Sequence, residues 1–346
     1  MPAMPTTVAL VGCAHIHTPG FVGSLKKRSD SIKVKAVWDP NPKRAEPRAA
    51  ELGAAVVKDA DAIWKDDQIS AVIICSETDR HEPLVLAGAA AKKHLFVEKP
   101  LGMGSADGYR MADAIEKAGV KFQTGYFQRG DQKNLFLKDA VQKGWFGKVT
   151  RVRGSNCHSG ALGGWFDAKP PADVADDWNW MTNPKVSGVG AFGDLGTHAL
   201  DILLWWFGDV TSATAQVDVG TDRYPGCDET GEGLMRFKNG AIGTLAASWD
   251  DVANPLQYLI SGTEGHAAVI SGQIHFTTKK EPKFDGSTPV RQGELPAAKP
   301  AGFDAFLDAI TGKEATLVGA REAAYRSSVM EAMYAGAKDG KWVAPK

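Results

Sequence analysis

Val8-Ala-Leu-Val-Gly12-Cys-Ala14-His15-Ile16-His17 contains a short, continuous apolar run that ends in a glycine. Such a run is typical of a strand that is buried on both faces of a parallel sheet. A dinucleotide-binding fold places the tight turn beneath the pyrophosphate here, usually with the pattern GxGxxG. Only the first glycine of that pattern is present, since alanine replaces the second and His17 the third. The turn alone therefore leaves nucleotide binding open.

The first 125 residues continue with alternating short apolar runs and helical patterns. The candidate strands are residues 7–11, 34–38, 55–57, 71–75, 95–97 and 121–124. Candidate helices cover residues 81–91 and 105–118, the second with Ser105 as a possible N-cap and Gly119 just past its end. This alternation predicts a doubly wound α/β Rossmann domain over residues 1–125.

Residues 126–346 have a different pattern, typical of antiparallel strands. Residues 233–237 and 241–249 flank an Asn-Gly turn, and residues 258–261 and 266–270 flank a second turn. Two helical segments, 303–310 and 321–335, are expected to pack back on the first domain, and the segment 279–300 is expected to be a surface loop. We therefore predict a second, α+β domain built around a sheet.

Composition excludes several classes of protein. The 346 residues contain 40 Lys and Arg against 41 Asp and Glu, so the basic excess of a nucleic-acid binder is absent. No apolar run reaches the length of about 18 residues that a membrane helix needs. Four scattered cysteines without a CxxC pair, and an N-terminus without a signal-peptide pattern, predict a soluble cytoplasmic protein with neither nucleic-acid nor membrane partners.

Asp39 ends the second candidate strand, where a carboxylate can accept hydrogen bonds from the adenosine ribose hydroxyls. Its charge would repel a 2′-phosphate and so favours NAD over NADP. The alternative is an ordinary turn aspartate in Asp-Pro-Asn-Pro. Arg44 follows on the next helix, but Pro47 is unfavourable there, so the arginine need not lie where regular helix geometry would place it.

Two histidine features near the predicted cofactor have competing interpretations. His15 and His17 could form half of a metal site, but no carboxylate–histidine cluster accompanies them in the sequence, so we predict no metal. A phosphate-facing or simply polar pair is the favoured interpretation. His81 follows the fourth strand and could line the cofactor cleft or simply begin a helix.

Two motifs carry groups suited to acid–base chemistry. Glu98-Lys99-Pro100 follows the fifth strand at the carboxyl edge of the sheet, where ligands bind in such folds. Asp194 and His198 are four residues apart, which places them on one face of a helix. A histidine beside a carboxylate suits proton transfer near neutral pH. The alternative is an N-cap aspartate and a buried polar histidine.

Together these features resemble the Gfo/Idh/MocA oxidoreductase family over nearly the whole chain. The resemblance rests on the first turn, Asp39, the Glu-Lys-Pro element, the DxxxH pattern and the ending Gly340-Lys341-Trp342-Val343. It implies a Rossmann domain followed by an open, largely antiparallel mixed sheet that often mediates dimer or tetramer formation. The chain departs from the family pattern at the depleted glycine turn and at Ser76-Glu77-Thr78, which replaces Thr-Pro-Asn. In addition, Gly125-Tyr-Phe-Gln-Arg129 stands for the family's Gly-Phe-x-x-Arg.

The resemblance implies an NAD-dependent dehydrogenase that acts on a secondary alcohol of a cyclitol, sugar or glycoside. His198 would be the general base, Lys99 would stabilise the developing alkoxide, and Asp194 would orient His198. The candidate cofactor contacts are Gly12, Ala14, His15, Ile16, Asp39, Arg44, Ser76, His81, Glu98 and Lys99. The candidate substrate contacts are Lys99, His158, Trp165, Asp194 and His198.

Two other functions stay open at this point. The family also contains NAD-dependent enzymes that cleave glycosides without net NADH formation, and non-catalytic NAD(P)-binding regulators. Hairpin strands with apolar residues on both faces, among them Leu234, Met235, Phe237, Ile242 and Leu245, predict a homodimer or homotetramer.

Overall fold

The computed structural model describes residues 5–170 and 173–346. Two compact units are present. The first comprises the chain up to Tyr126 together with Trp165–Gly188 and Pro300–Ser327, and the second comprises Phe127–Gly164, Val189–Lys299 and Ser328–Lys346. Over the described residues, none of the helices combines the length and apolar character required to cross a membrane.

The strands and helices follow one another along both units. The strands are β1 Thr6–Val11, β2 Ile32–Trp38, β3 Ala55–Val56, β4 Ala71–Ile74, β5 His94–Val97, β6 Phe122–Thr124, β7 Val149–Cys157, β8 Val210–Asp218, β9 Thr230–Phe237, β10 Ile242–Ser248, β11 Leu256–Gly262, β12 Gly265–Ile270 and β13 Gln273–Thr278. The helices are α1 Thr18–Lys27, α2 Pro42–Leu52, α3 Asp61–Trp64, α4 His81–Ala90, α5 Ser105–Ala118, α6 Gln132–Gln142, α7 Pro184–Ser187, α8 Ala191–Phe207, α9 Phe303–Ile310 and α10 Ala320–Asp339.

The first unit contains a parallel sheet in the order β3-β2-β1-β4-β5-β6. Alternate residues of β1 enter two different cores: Val8 and Leu10 pack with α1, α2 and α9, whereas Ala9 and Val11 pack with α4 and α5. A strand covered on both faces needs apolar residues at every position, which explains the continuous run. The Rossmann prediction is confirmed, and ligands in this fold bind at the carboxyl ends of the strands.

The second unit contains a mixed sheet in the order β13-β12-β11-β7-β10-β9-β8. The pairs β9–β10 and β11–β12 are the predicted antiparallel hairpins, and β7 pairs with β10 in parallel. Helix α8 packs on one face of this sheet. A Cβ at Gly154 of β7 would lie 3.1 Å from Leu203 and 3.3 Å from Ala199, so the glycine allows close packing of helix and strand.

Local structure differs from the expectations in three places. A single division after residue 125 does not describe the units, because Trp165–Gly188 and Pro300–Ser327 group with the first. Helix α2 continues through Pro47, although a proline inside a helix removes one hydrogen bond and crowds the carbonyl four residues before it. The N-cap of α5 is Gly104 rather than Ser105, and the Asp107 carboxylate accepts the amide protons of Met103 and Gly104 instead.

Candidate cofactor and catalytic sites

Gly12 forms the turn after β1 with a left-handed backbone, φ +80°. A Cβ at this position would lie 2.6 Å from the Ser76 nitrogen, so both the conformation and the space require glycine. The Gly12 amide donates to the Trp38 carbonyl at 2.7 Å, and the His15 amide donates to the Cys75 carbonyl at 3.0 Å. The residues at the ends of β2 and β4 therefore hold the turn in place. The backbone of the turn approaches these strands closely even though Ala14 and His17 replace two glycines of the usual pattern.

The rest of the turn leads into α1, where the Thr18 amide donates to the His15 carbonyl at 2.9 Å and Pro19 has no amide proton, so Gly20 carries the next amide and the positive end of the helix faces the turn. Ala14 is buried and Ile16 is half-buried beside it. The indole N–H of Trp180 donates to the Ala14 carbonyl at 2.9 Å, and its ring centroid lies 6.0 Å from that of His15. The aromatic-rich segment around Trp180 suggests a sugar-packing role in the sequence, but its contact with the turn was not predicted, because Trp180 lies 166 positions away along the chain.

Asp39 is buried at the end of β2, and its two carboxylate oxygens have different backbone partners. Oδ2 accepts the Cys13 amide at 2.7 Å, and Oδ1 accepts the Asn41 amide at 2.8 Å. Burial raises the pKa of Asp39, while these two hydrogen bonds oppose the rise. Asp39 lies at the ribose-binding position and also fixes the turn. The role of a turn aspartate, which the sequence offered as an alternative, therefore does not exclude a role in ribose binding.

Glu98 joins the two histidines of the turn. Its carboxylate is fully buried, with Oε1 3.1 Å from His17 Nδ1 and Oε2 3.8 Å from His15 Nε2. Burial alone would raise the pKa of Glu98, but the neighbouring histidines, the hydrogen bond from His17 and the Lys99 charge more than offset this and hold that pKa well below its usual range. The expectation that no carboxylate accompanies the histidines was wrong, because the topology places β5 beside the turn.

Three groups of this kind within 4.8 Å of one another resemble a metal-ligand set. The His17 amide, however, donates to His15 Nδ1 at 3.2 Å, so Nε2 carries the proton in the neutral ring. A ligating imidazole instead binds metal through one nitrogen and donates through the other. The arrangement therefore fits a hydrogen-bonded cluster that shapes the turn. Glu98, predicted as a direct cofactor contact, lies beneath the turn and orients its two histidines.

Lys99 is buried immediately after Glu98, and its amide donates to Glu98 Oε2 at 2.9 Å. The Lys99–Pro100 peptide bond is cis. His81 supports the same segment, since its Nδ1 lies 3.1 Å from the carbonyl oxygens of both Pro100 and Leu101 and must donate to them. Burial lowers the pKa of His81, which favours the neutral ring. Its predicted position on the cofactor cleft is thus corrected: the side chain is buried beneath the lysine segment.

Asp194 and His198 lie one turn apart on α8, and both are buried. The Trp249 indole donates to Asp194 Oδ2 at 3.1 Å, and Trp249 itself is fully buried. The ring centroids of His198 and Phe127 are 5.2 Å apart. Asp194 therefore has a specific partner that an N-cap role would not require, and Gly190 is the N-cap of α8. Lys99 belongs to the first unit and this pair to the second.

Arg129 ties the segment around Phe127 to α8. Its Nε and Nη2 donate to the two oxygens of Asp201 at 2.8 and 2.5 Å, and Asp201 follows His198 by three residues. Such a bidentate pair fixes orientation as well as distance. The arginine of the Gly-x-x-x-Arg pattern thus helps to hold Phe127 beside the histidine.

A polar cavity of about 360 Å³ opens beside these residues within the second unit. Hydroxyl, amide and charged groups dominate its wall, with Phe127 and Val269 as apolar members. The lining residues are Phe127, Gln128, Asp131, Lys133, Asn134, Ser155, Asn156, Asn254, Gln257, Tyr258 and Val269. Sequence reasoning did not find this cavity, because its residues come from separate segments without a shared motif.

The remaining predicted substrate and cofactor contacts lie outside the cavity. His158 is half-buried and its Nδ1 accepts the Gly160 amide at 3.0 Å, whereas Trp165 is 44% exposed and belongs to the first unit. Neither lines the cavity. Ser76 is buried against the glycine turn, and the Arg44 guanidinium pairs with Glu77.

The first unit fits NAD, because Asp39 lies at the end of β2, where a ribose binds in this fold, and because the turn after β1 leads into the N-terminus of α1, where a phosphate binds. NAD supplies a hydride acceptor when bound. The chain supplies the remaining groups, which hold the dinucleotide and move a proton.

Comparisons with known proteins agree with this geometry. A family model described as an oxidoreductase family with an NAD-binding Rossmann fold matches residues 6–126, and the GFO/IDH/MocA C-terminal domain matches residues 135–268. Myo-inositol 2-dehydrogenase of Thermotoga maritima is 32% identical over 69% of this chain and 67% of its own length. The NAD(+) scyllo-inositol 2-dehydrogenase of Bacillus subtilis is 28% identical over 67% of this chain and 65% of its own length.

The fold also matches a solved structure of levoglucosan dehydrogenase in complex with NADH and levoglucosan. The TM-score is 0.80 at 19% identity, over 99% of this chain and 100% of that one. The chain spans about two thirds of the curated relatives' lengths. Because both halves match, the chain belongs to the GFO/IDH/MocA family of oxidoreductases, and its first domain is an NAD-binding Rossmann domain.

Proposed function

We propose that the protein is an NAD-dependent dehydrogenase that oxidises a secondary hydroxyl of a cyclitol, sugar or glycoside. The observation that carries this proposal is the pair Asp194 and His198 on α8: Trp249 donates to Asp194, and His198 contacts Phe127, which lines the polar cavity. The chemistry requires a base for the hydroxyl proton and a positive group near the oxygen that becomes negative.

Each group has one role in this proposal. His198 takes the hydroxyl proton as general base, and Asp194 orients the imidazole. Lys99 stabilises the developing alkoxide as an electrostatic donor. Because a hydride leaves carbon as the proton leaves oxygen, the alcohol becomes a ketone or lactone and NAD becomes NADH.

The cavity supports a polyhydroxyl substrate. Its wall offers several amide and hydroxyl groups with both donors and acceptors, and the Oε1 atom of Gln257 is buried without a hydrogen-bond partner. Phe127 is 54% exposed and offers an aromatic face, which packs well against the C–H face of a sugar ring. The inositol and levoglucosan specificities of the relatives favour the same class. We retain His158 and Trp165 as candidate substrate contacts.

The test is a screen of cyclitols, aldoses and glycosides with NAD and, separately, with NADP, followed by NADH or NADPH absorbance. We expect reduction of NAD by at least one cyclitol or sugar, with kcat/KM at least roughly tenfold higher for NAD than for NADP. Glycoside cleavage without net NADH would instead identify a redox glycoside-cleaving enzyme. Tight NAD binding without any turnover would favour a non-catalytic regulator.

We further propose that the protein is a cytoplasmic homodimer or homotetramer. Free thiols at all four cysteines support the location. Leu234 and Ile242 support the assembly, since they share one face of the second sheet and are 42% and 40% exposed, while Met235 and Phe237 are buried on the other face.

A further inference from the structure

Arg44, Glu77 and Asp39 lie close together in the first unit, at the carboxyl ends of β2 and β4. Arg44 Nη1 donates to Glu77 Oε1 at 2.6 Å, and the two side chains are only 12% and 11% exposed. The charges of both side chains affect the pKa of Asp39. Burial raises that pKa, the Glu77 charge raises it further, and the Arg44 charge lowers it. The Arg44 guanidinium therefore donates to the Glu77 carboxylate and also interacts electrostatically with Asp39.

This arrangement bears on the choice between NAD and NADP. In Rossmann folds an acidic residue after the second strand binds the ribose 2′-hydroxyl of NAD, whereas a nearby arginine accommodates the 2′-phosphate of NADP. This chain carries both groups, Asp39 and Arg44. Asp39 alone therefore does not settle which dinucleotide is preferred, and the state of the Arg44 guanidinium matters.

Other arginines near this edge are also paired with carboxylates. Arg48 donates to Glu51 at 2.8 Å and to Asp176 at 2.5 Å, and Arg80 Nε lies 3.3 Å from Glu77 Oε2. A dianionic 2′-phosphate would have to displace one of these carboxylates and would lie against like charges, which disfavours its binding.

We propose that Glu77 is a second determinant of cofactor selectivity, because its carboxylate holds the Arg44 guanidinium and so denies it to a 2′-phosphate. This inference rests on NAD binding by the Rossmann domain and does not depend on the proposed sugar oxidation. Glu77 belongs to the Ser76-Glu77-Thr78 segment, which replaces the family's Thr-Pro-Asn. In this proposal the replacement of proline by glutamate contributes to cofactor selectivity.

Two substitutions remove the Glu77 charge without removing Arg44. Glu77→Gln keeps the shape of the side chain. Glu77→Pro restores the family residue, and the Glu77 backbone, at φ −59° and ψ 148°, already has the φ of proline. Arg44→Gln combined with Glu77→Gln tests whether any gain depends on the arginine. Glu116→Gln, which removes one of the two carboxylate partners of Arg321, at 2.9 Å, controls for the loss of one negative charge.

The experiment is isothermal titration of the full chain with NADP and with NAD, after thermal melting has confirmed that each variant is folded. We expect Glu77→Gln, or Glu77→Pro if the first does not fold, to bind NADP at least about fivefold more tightly, equivalent to about 1 kcal/mol. The affinity for NAD should change by less than about threefold, since the ribose hydroxyls still face Asp39. The double variant should lose the gain.

A gain in NADP affinity below fivefold in the folded Glu77 variants would overturn the proposal. An equal gain in Glu116→Gln, or a gain that persists in the double variant, would also overturn it, because the effect would then not pass through Arg44. None of these outcomes depends on turnover, so a failed substrate screen and a failed selectivity test remain distinguishable.

Discussion

Trp249→Phe should destabilise the second unit and reduce catalysis because it removes the hydrogen bond from the indole to Asp194. The bond is 3.1 Å long, and the Trp249 side chain is fully buried. A hydrogen bond to a charged group contributes about 1.5–3 kcal/mol to stability, whereas one between neutral groups contributes about 0.5–1.5 kcal/mol. The buried carboxylate would lose this donor, and phenylalanine cannot replace it.

Trp206→Phe is the matched control. Trp206 is also buried in the second unit, but its indole donates to the neutral Asn134 carbonyl at 3.2 Å. Both substitutions shrink a buried ring and so share a packing loss. The difference between them isolates the hydrogen bond, and we expect Trp249→Phe to be the less stable variant by about 1–1.5 kcal/mol.

Urea unfolding followed by circular dichroism would measure the stabilities, with midpoints compared at equal slope. In steady-state kinetics with the best substrate of the screen, kcat of Trp249→Phe should fall roughly 10- to 100-fold and its pH profile should move, whereas Trp206→Phe should stay within about twofold. Equal stabilities for the two variants, or unchanged kcat and pH profile in Trp249→Phe, would refute the positioning role.

Further predictions concern the base, the histidine cluster and the open sheet. His198→Ala should lower kcat by roughly 10²- to 10⁴-fold, with unchanged NAD affinity in titration. The control His266→Ala, at an exposed position, should leave kcat unchanged. Normal turnover in His198→Ala would show that His198 is not the general base. Dialysis against a chelator should leave NAD affinity unchanged, because the His15–Glu98 geometry disfavours a metal; restoration of binding by zinc after its loss would contradict this. Leu234→Asp should dissociate the oligomer in sedimentation at micromolar concentration, whereas Val252→Asp, 89% exposed on a loop, should not; a monomeric parent would contradict the assembly.

Much of the fold is predictable from sequence because the signals are local. Strands β1, β4 and β5 of the first sheet contain short continuous apolar runs, and both hairpins carry their turn signals within a few residues. Helix α5 ends at Ala118 with Gly119 in the left-handed conformation, as its glycine indicates.

The groups that support the site were not predictable, because they depend on contacts between distant segments. Trp180 reaches Ala14, and Trp249 reaches Asp194 across 55 positions. The sequence predicts that Glu98 lies at the end of β5. Its burial against the two histidines, however, depends on the order of the strands in the sheet, which the sequence does not give directly. Gly125 packs closely against the same Glu98 carboxylate, since a Cβ at position 125 would lie 2.8 Å from Glu98 Oε2.

Histidines were the hardest residues to interpret. His198 is predicted by its spacing from Asp194 within one helix. His81 has an equally suggestive position after a strand, yet its ring is fully buried and bonds to backbone carbonyls. Sequence spacing identifies which residues share an element, but it does not distinguish a ring that faces a ligand from one that supports a loop.

The central claim is that the chain moves a hydride from a C–H bond of a polyol to NAD. The most direct measurement uses a cyclitol or sugar substrate deuterated at its hydroxyl-bearing carbons, with mass spectrometry of the dinucleotide after incubation with the folded, NAD-bound protein. We predict NADH that contains one deuterium, together with a slower hydride-transfer step in stopped flow. NAD that binds but stays oxidised and unlabelled with every cyclitol, aldose and glycoside of the screen would contradict the account.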